Sequence, residues 1–326
     1  MNKKTRIEMI LILFLLTGFF LFVTPSVAQD YPKGPIQLVI PFGPGGSDLL
    51  WRILGDHLSR NLKVPVVFVN KPGGGGIVGM STVVNSKPDG YTLCAGNSDT
   101  LNITPLFTKD LPFDTINDLT YIAKLAMFPQ GILVRGESPF KTIDDIIAFA
   151  KANPKKLKVG TPGVGTSAYM AVNMFNHDAK VEITPVAFGG GAEVVPQILG
   201  GHVDFAFMST MAVKSHLQTG KIRLLAFFAN KRNPIYPDIP TSVEKGLKRT
   251  IIEVGMGLVG PKGLSPDVVK KWEDAIQLAL KEPSVISAVE KLDYVIDFKR
   301  GENYKKEIID EFAAFKQIMP ELGGKK

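Results

Sequence analysis

Short apolar runs and helical patterns alternate along most of the chain. Four of the five residues 36–40 are apolar, and the run lies between Pro35 and Pro41, which predicts a short buried strand. The apolar residues that follow recur at steps of three and four, which predicts an amphipathic helix with Ser47 or Asp48 as its N-cap. This part of the chain is therefore predicted to form a strand, a glycine-rich loop and a helix.

The same order of strand, loop and helix recurs three more times. The predicted units cover residues 36–62, 65–84, 157–175 and 183–199. Further strands are predicted at 91–95, 203–208 and 222–228, and further helices at 142–152, 266–281 and 303–319. Alternation of this kind favours an α/β fold with mostly parallel sheets. Because no linker rich in Pro, Gly or Ser divides the chain, we expect two lobes that are joined by strands crossing between them.

The first thirty residues differ from the rest. Three basic residues among the first six precede an apolar run at 10–23, and residues 26–28 have the small-x-small form that signal peptidase accepts. The run is shorter than the ~20 residues of a membrane span. We predict a signal peptide that is cleaved after Ala28 and a mature protein in the periplasm. The single cysteine, Cys94, lies in an apolar stretch and is predicted to be buried.

Composition and charge narrow the classes of partner. The 326 residues are 21% charged and 45% hydrophobic, a balance typical of a globular protein large enough for two lobes. The formal net charge is +7, which favours anionic ligands. The basic residues are scattered and rarely adjacent to aromatic residues, so we predict no nucleic-acid partner.

The sequence contains no assembled catalytic or metal site. Residues 74–79 fit the pattern G-x-G-x-x-G, with Asp99 about twenty residues further on. A stretch with so many glycines matches this pattern easily by chance, and a dinucleotide is not an expected ligand of an exported protein. His202 and Asp204 have no third metal ligand nearby in the sequence. We predict no catalytic residues, no cofactor and no metal.

The glycine-rich loops favour binding of an anion instead. A helix N-terminus presents unpaired backbone N–H groups and the positive end of the helix dipole. Glycine lets an anion approach such groups closely, and several in succession form an anion-holding concavity. Loops that follow parallel strands meet at the same edge of a sheet. The four predicted loops therefore indicate a carboxylate site between two lobes.

A series of short motifs occurs in a fixed order along nearly the whole predicted mature chain. They are Ile40-Pro41-Phe42, Pro44-Gly45-Gly46, Asn70-Lys71-Pro72-Gly73, Pro88-Asp89-Gly90-Tyr91, Leu111-Pro112-Phe113-Asp114, Gly163-Val164-Gly165-Thr166-Ser167, Gly200-Gly201-His202-Val203-Asp204 and Pro237-Asp238-Ile239-Pro240-Thr241. In these motifs and their order the chain resembles the Bug family, the extracytoplasmic solute receptors of tripartite tricarboxylate transporters.

The resemblance implies a type II periplasmic-binding-protein fold. Such a fold has two α/β lobes, two crossover strands and a ligand in the cleft. The lobes would be residues 29–125 with 226–326, and 126–225 between them. The implied function is capture of a small organic carboxylate for the permease subunits of a membrane transporter, by a receptor that is a monomer. Two alternatives stay open: the same receptor serving a signalling kinase, and an exported enzyme on a similar fold.

Predicted ligand contacts come from both lobes. The first lobe contributes Phe42, Gly43, Pro44, Gly45, Gly46, Ser47, Asp48, Asn97 and Ser98, and the second contributes Thr161, Gly163, Gly165, Thr166, Ser167, Phe188, Gly189, Gly190, Gly191 and Ser209. Asp48 is expected to act either as a helix cap or as a ligand contact. Phe188 is expected either to stack on an aromatic ligand or to lie in the core.

Two departures from the family pattern bear on the identity of the ligand. The loop after residue 42 is one residue shorter than in many members, and relatives often carry Asp or Asn near the position of Ser209. The second-lobe loops contain neither Lys nor Arg. We therefore expect backbone N–H groups and hydroxyls to bind a carboxylate without an amine, and salt to affect the binding only modestly.

Overall fold

The computed structural model describes residues 31–43 and 46–320, with Gly46 and Ser47 described by their backbone alone. The elements named below lie in a unit that begins at Gly34. The predicted signal peptide and its cleavage site after Ala28 lie outside the described residues, as do Pro44 and Gly45.

The described residues form ten strands. These are β1 (Ile36–Ile40), β2 (Val66–Asn70), β3 (Thr92–Asn97), β4 (Leu119–Arg135), β5 (Lys158–Thr161), β6 (Thr184–Ala187), β7 (Phe205–Ser209), β8 (Ile222–Phe227), β9 (Glu253–Pro261) and β10 (Val295–Arg300).

The helices of the described residues alternate with these strands. They are α1 (Gly46–Leu62), α2 (Ile77–Val84), α3 (Thr104–Phe107), α4 (Ile143–Ala152), α5 (Ser167–Ala179), α6 (Gly191–Leu199), α7 (Lys214–Gln218), α8 (Pro266–Ala279), α9 (Pro283–Lys291) and α10 (Gly301–Ile318). Short helical turns also occur at Gly74–Gly76, Asp99–Ile103 and Thr210–Val213. Within the described part of the chain, no helix has the length and apolar character that crossing a bilayer requires.

The strands form a mixed sheet and not the mostly parallel one that the sequence predicts. Their order is β2-β1-β3-β9-β4-β7-β5-β6, and β8 and β10 also pair with β4. At one end β1 is parallel to β2 and β3, and at the other β5 is parallel to β6 and β7. Every pairing of β4 or β9 is antiparallel.

The two parallel groups are joined through β4. The first part of this 17-residue strand pairs with β9 and β10, and its second part pairs with β7 and β8. The sequence pattern did not predict β4, because the strand lacks a clear period of two and contains Pro129, a residue that strands rarely tolerate. The long antiparallel strands are the reason why the sheet is mixed.

The four predicted strand-loop-helix units are confirmed. The loops after β1, β2, β5 and β6 each lead into a helix or helical turn. Helix α1 begins at Gly46, so neither Ser47 nor Asp48 is the N-cap predicted from the sequence. Helix α4 does begin after Thr142, whose hydroxyl oxygen accepts from the Asp145 N–H in a capping box.

Apolar clusters hold the helices against the sheet. Near β1 and β3, the fully buried residues Val39, Met80 and Val259 pack together with Cys94. The prediction that Cys94 is buried is confirmed, and burial raises the pKa of its thiol. Such packing fixes the strand ends, and therefore also the loops that follow them.

Candidate functional site

The predicted loops surround a cavity of about 860 Å³. Its walls are the loops after the parallel strands β1, β2, β5 and β6, together with residues that follow β3 and β7. The middle of β4 contributes Phe128 and Gln130, and Tyr294 precedes β10. The cavity therefore lies where both parallel groups of strands end, as expected for a ligand site of an α/β sheet.

About half of the predicted contacts line this cavity. The lining includes Phe42, Gly43, Asn97, Gly163, Thr166, Phe188, Gly189, Gly190, Gly191 and Ser209. Other predicted contacts do not line it, namely Asp48, Ser98, Thr161, Gly165 and Ser167. Ser98, for example, accepts a hydrogen bond from the Gly255 N–H at 2.9 Å and is buried against β9.

Asp48 anchors the first loop to the neighbouring strand. Its carboxylate accepts from Arg52 Nε at 2.9 Å and from Asn70 Nδ2 at 3.0 Å. Asn70, the last residue of β2, also donates to the Phe42 carbonyl at 3.0 Å. Although burial acts to raise the pKa of Asp48, hydrogen bonds from Arg52 and Asn70 hold it below its ordinary value. Asp48 therefore positions the loop, and its side chain does not line the cavity.

The loop after β2 lines the cavity with backbone. Gly73, Gly74, Gly75 and Gly76 all have positive φ, between 58° and 135°, which glycine adopts without strain. At Gly76 a Cβ atom would lie 2.9 Å from the Thr100 hydroxyl oxygen, so a side chain would not fit there. The run of glycines was visible in the sequence, but these residues were not among the predicted contacts.

The loops after β5 and β6 present backbone donors. The N–H groups of Gly163, Val164, Gly165, Gly190 and Gly191 donate to no other described residue. These residues, apart from Gly165, line the cavity. A carboxylate could therefore accept hydrogen bonds here without displacing an internal partner.

The hydroxyls of these loops are already engaged within the protein. The Thr166 hydroxyl donates to the Gly163 carbonyl at 2.8 Å and accepts from the Tyr169 N–H, as the N-cap of α5. The Ser209 hydroxyl oxygen accepts from the Met211 N–H at 3.3 Å. Hydroxyl donation to a ligand, as expected from the sequence, would therefore require Thr166 to exchange its partner, whereas the Ser209 hydroxyl only accepts in the bond described and keeps its proton for donation.

Asn97 offers a side-chain donor on the other wall. Its Oδ1 atom accepts from the N–H and the hydroxyl of Thr100, at 3.0 and 2.9 Å. These bonds fix the orientation of the amide, whose Nδ2 group donates to no described residue. Phe188 also lines the cavity and packs against an apolar cluster.

Asp99 is a cavity residue that the sequence analysis did not select. It begins the helical turn after β3, and its Oδ1 atom accepts from the Ser167 N–H at the start of α5, at 3.0 Å. The side chain is half-buried and faces the cavity. Burial raises the pKa of this carboxyl to about 6, while hydrogen bonds from Ser167 act in the opposite direction.

Gln130 joins Asp99 through the same serine. Its Nε2 group donates to the Ser167 hydroxyl oxygen at 2.6 Å, and its buried Oε1 atom accepts from no residue in the described part of the chain. Among the described residues that line the cavity there is no Lys, Arg or His. The charged side chains in this lining are the carboxylates of Asp99 and of the exposed Glu193. Glu193 accepts a hydrogen bond from the Gly189 N–H at 2.9 Å.

A cavity between two groups of parallel strands, with free backbone donors on its walls, is the arrangement of a solute-binding protein. Residues 50–323 match the family described as "Tripartite tricarboxylate transporter family receptor", and the chain belongs to this family. The family predicted from the sequence motifs is therefore confirmed.

Individual relatives agree with this assignment. A UPF0065 protein of Cupriavidus necator, from the gbd 5' region, is 34% identical over 91% of this chain and 90% of its own. BugT of Bordetella pertussis is 27% identical over 99% of both chains. These matches extend over nearly the full length of each protein.

Solved structures show the same fold. A periplasmic transporter superposes with a TM-score of 0.82 at 30% identity, covering 89% of this chain and 97% of the other. The periplasmic binding protein BugD superposes at 0.81, with 25% identity and coverage of 91% and 100%. MatC of Rhodopseudomonas palustris, with bound malate, superposes at 0.79, with 25% identity and coverage of 88% and 99%. The predicted periplasmic-binding-protein fold is confirmed.

Proposed function

We propose that this protein is a non-catalytic periplasmic receptor that binds a small organic carboxylate in the described cavity. The observation that carries the proposal is a set of backbone N–H groups on the cavity wall, those of Gly163, Val164, Gly190 and Gly191, which donate to none of the residues that the structure describes. MatC, a relative of the same fold, contains malate, which is such a carboxylate.

The proposal has consequences for the mature protein and its partners. The signal peptide is removed after Ala28, and the receptor acts as a monomer. Residues 29–125 with 226–326 form one lobe and residues 126–225 the other. A ligand that touches loops of both lobes favours their closure, because it stabilises only the state in which both sets of contacts are made. The loaded receptor then delivers its ligand to the permease subunits of a tripartite transporter.

A thermal-shift screen of the mature protein tests the proposal. The panel contains mono-, di- and tricarboxylates, including aromatic ones, at 50 and 500 mM salt. A ligand at one hundred times its Kd adds about 2.7 kcal/mol to the free energy of unfolding, which raises the melting temperature by several degrees. Because backbone donors act at short range, we expect less than about a threefold change in affinity with salt.

Three results of the screen would contradict the proposal. Failure of every carboxylate to raise the melting temperature would contradict carboxylate binding. A loss of affinity in salt of tenfold or more would indicate recognition by exposed charged side chains. Chemical conversion of a bound compound, followed by mass spectrometry, would indicate an enzyme.

A further inference from the structure

We propose that Asp99 and Gln130 make the receptor selective for carboxylates that also carry a hydroxyl or ammonium group. The proposal rests on the proposed function and assigns a second subsite within the same cavity. The backbone donors would bind the carboxylate of the ligand, and the two acceptors would bind its donor group.

The first support is the pairing of two acceptors around one residue. Ser167 is bonded to Asp99 through its N–H and to Gln130 through its hydroxyl oxygen, at 3.0 and 2.6 Å. Both acceptor side chains line the cavity. Their shared partner therefore places a carboxylate and an amide next to each other on the cavity wall.

The second support is the lack of a donor for Gln130 Oε1. Because Nε2 donates to Ser167, the Ser167 hydroxyl proton is free to point to Asp99, and the Gln130 amide is held with Oε1 unpaired. Gln130 is only 5% exposed, and an unpaired buried carbonyl oxygen is unfavourable. A hydroxyl or ammonium group of a ligand would satisfy it once a rotation of the Gln130 side chain turns this oxygen, which has less than 1 Å² of accessible surface, toward the cavity.

The third support is the absence of compensating positive charge. The described lining contains no basic side chain, so an ionised Asp99 is compensated only by hydrogen bonds from Ser167. A second carboxylate of a ligand would be repelled at this place, whereas a donor group would be attracted. The expectation of a ligand without an amine was based on Ser209, and it left out the carboxylate of Asp99.

Protonation of Asp99 gives the selectivity a characteristic dependence on pH. With a pKa of about 6, Asp99 is mostly ionised at pH 7.5 and mostly protonated at pH 5. Other ionisable groups lie close by. Glu193 and Tyr294 line the same cavity, and Glu311, whose pKa burial raises to about 7, accepts from Asn102 on the turn that carries Asp99.

Calorimetry with matched ligands tests the proposal. Three series differ only in the donor group: succinate, malate and aspartate; glutarate, 2-hydroxyglutarate and glutamate; and phenylacetate, mandelate and phenylglycine. At pH 7.5, in a series that binds, we expect a donor-bearing member to bind at least tenfold more tightly than the plain member. At pH 5 this preference should fall to less than threefold, because protonated Asp99 no longer attracts the donor group by its charge and can itself donate a hydrogen bond to a second carboxylate.

Two variants separate Asp99 from its neighbours. Asp99→Asn retains an acceptor for the Ser167 N–H but has no charge, and its preference at pH 7.5 should be less than threefold and independent of pH. Asp56→Asn removes one charge from an exposed position of α1 outside the cavity and should keep the preference of the unmodified protein. Circular dichroism verifies that both variants are folded.

The outcomes distinguish this proposal from the proposed function. Equal or tighter binding of the plain members at pH 7.5 would overturn the selectivity but leave carboxylate binding intact. Retention of the full preference by folded Asp99→Asn would likewise overturn the role of Asp99. Failure of all nine compounds to bind would overturn the proposed function, and this proposal with it.

Discussion

Replacing Lys124 by methionine is expected to lower the free energy of unfolding by about 3–5 kcal/mol, the cost of leaving buried charges without their partner. Lys124 lies in β4, and its side chain is only 4% exposed. Its ammonium group forms ion pairs with Asp297 of β10, at 2.7 Å, and with Glu307 of α10. The substitution keeps a long side chain but removes the charge.

The remaining charges explain the size of the effect. Burial acts to raise the pKa of Asp297, but Lys124 and Lys299 hold it below its ordinary value. Lys124 also lowers the pKa of Glu253 and Glu311, although burial keeps both raised. Without Lys124, Lys299 is the cation among the described residues that still pairs with Asp297 and Glu307, while Glu253 and Glu311 lose the positive charge of Lys124.

The sign of the pH dependence follows from these pKa values. Carboxyls that lose their cation have a higher pKa in the folded than in the unfolded state, so the folded variant takes up protons as the pH falls. The deficit of Lys124→Met should therefore be largest at pH 7.5 and smaller at pH 5. Urea unfolding at both pH values measures it.

A matched control and a rescue variant complete this test. Lys306→Met removes an exposed lysine that pairs with Asp310 at 2.5 Å, and should change the unfolding free energy by no more than about 0.5 kcal/mol. Adding Glu307→Gln to Lys124→Met should recover part of the loss. Equal stability of Lys124→Met and Lys306→Met at pH 7.5 would show that the cluster does not stabilise the fold.

The cluster also matters for the binding site. Glu311 accepts from Asn102 Nδ2 at 2.6 Å, and Asn102 lies three residues after Asp99 on the same helical turn. The charges on β4, β9, β10 and α10 therefore hold the segment that carries Asp99. Weakening of the cluster should increase the mobility of this turn before it unfolds the chain.

Replacing Gly190 by leucine is expected to weaken binding of the best carboxylate at least 30-fold, or by about 2 kcal/mol. Gly190 lines the cavity, and a Cβ atom added to it would meet no atom within 4 Å. Its φ of 161° is extended backbone, so leucine would be accommodated without strain. The new side chain would occupy ligand volume and cover neighbouring N–H groups.

A second glycine provides the control for this prediction. Gly34 also has no atom within 4 Å of an added Cβ, but it does not line the cavity. Gly34→Leu should bind the ligand with the affinity of the unmodified protein. Calorimetry on both variants, with melting temperatures as a check on folding, measures the difference. Unchanged affinity in folded Gly190→Leu would mean that the ligand does not use the loop after β6.

Local sequence patterns predicted the parts of the fold that depend on local interactions. The glycine loops and helix α1 could be predicted because glycine content and apolar periodicity are properties of neighbouring residues. Strand β4 could not, because Pro129 and its irregular pattern are compatible with a strand only through the partners β9 and β7. Its pairing depends on residues far away in the sequence.

The binding site likewise contains residues that are far apart in the sequence and that local patterns could not group. Asp99 and Ser167 are 68 residues apart, and Gln130 is 37 residues from Ser167, so nothing local identifies them as a group. Ser98 and Thr161 lie next to cavity residues in the sequence, but they do not line the cavity. The chain direction after a strand determines which neighbouring side chain faces the ligand, and the sequence alone does not specify it.

The most direct test of the central claim is a crystal structure of the mature protein with the carboxylate that gives the largest thermal shift. We expect electron density for the ligand in the cavity, with carboxylate oxygens within about 3.2 Å of backbone nitrogens in the loops after β5 and β6. Density elsewhere, or a carboxylate held by lysine or arginine side chains without these nitrogens, would contradict the account.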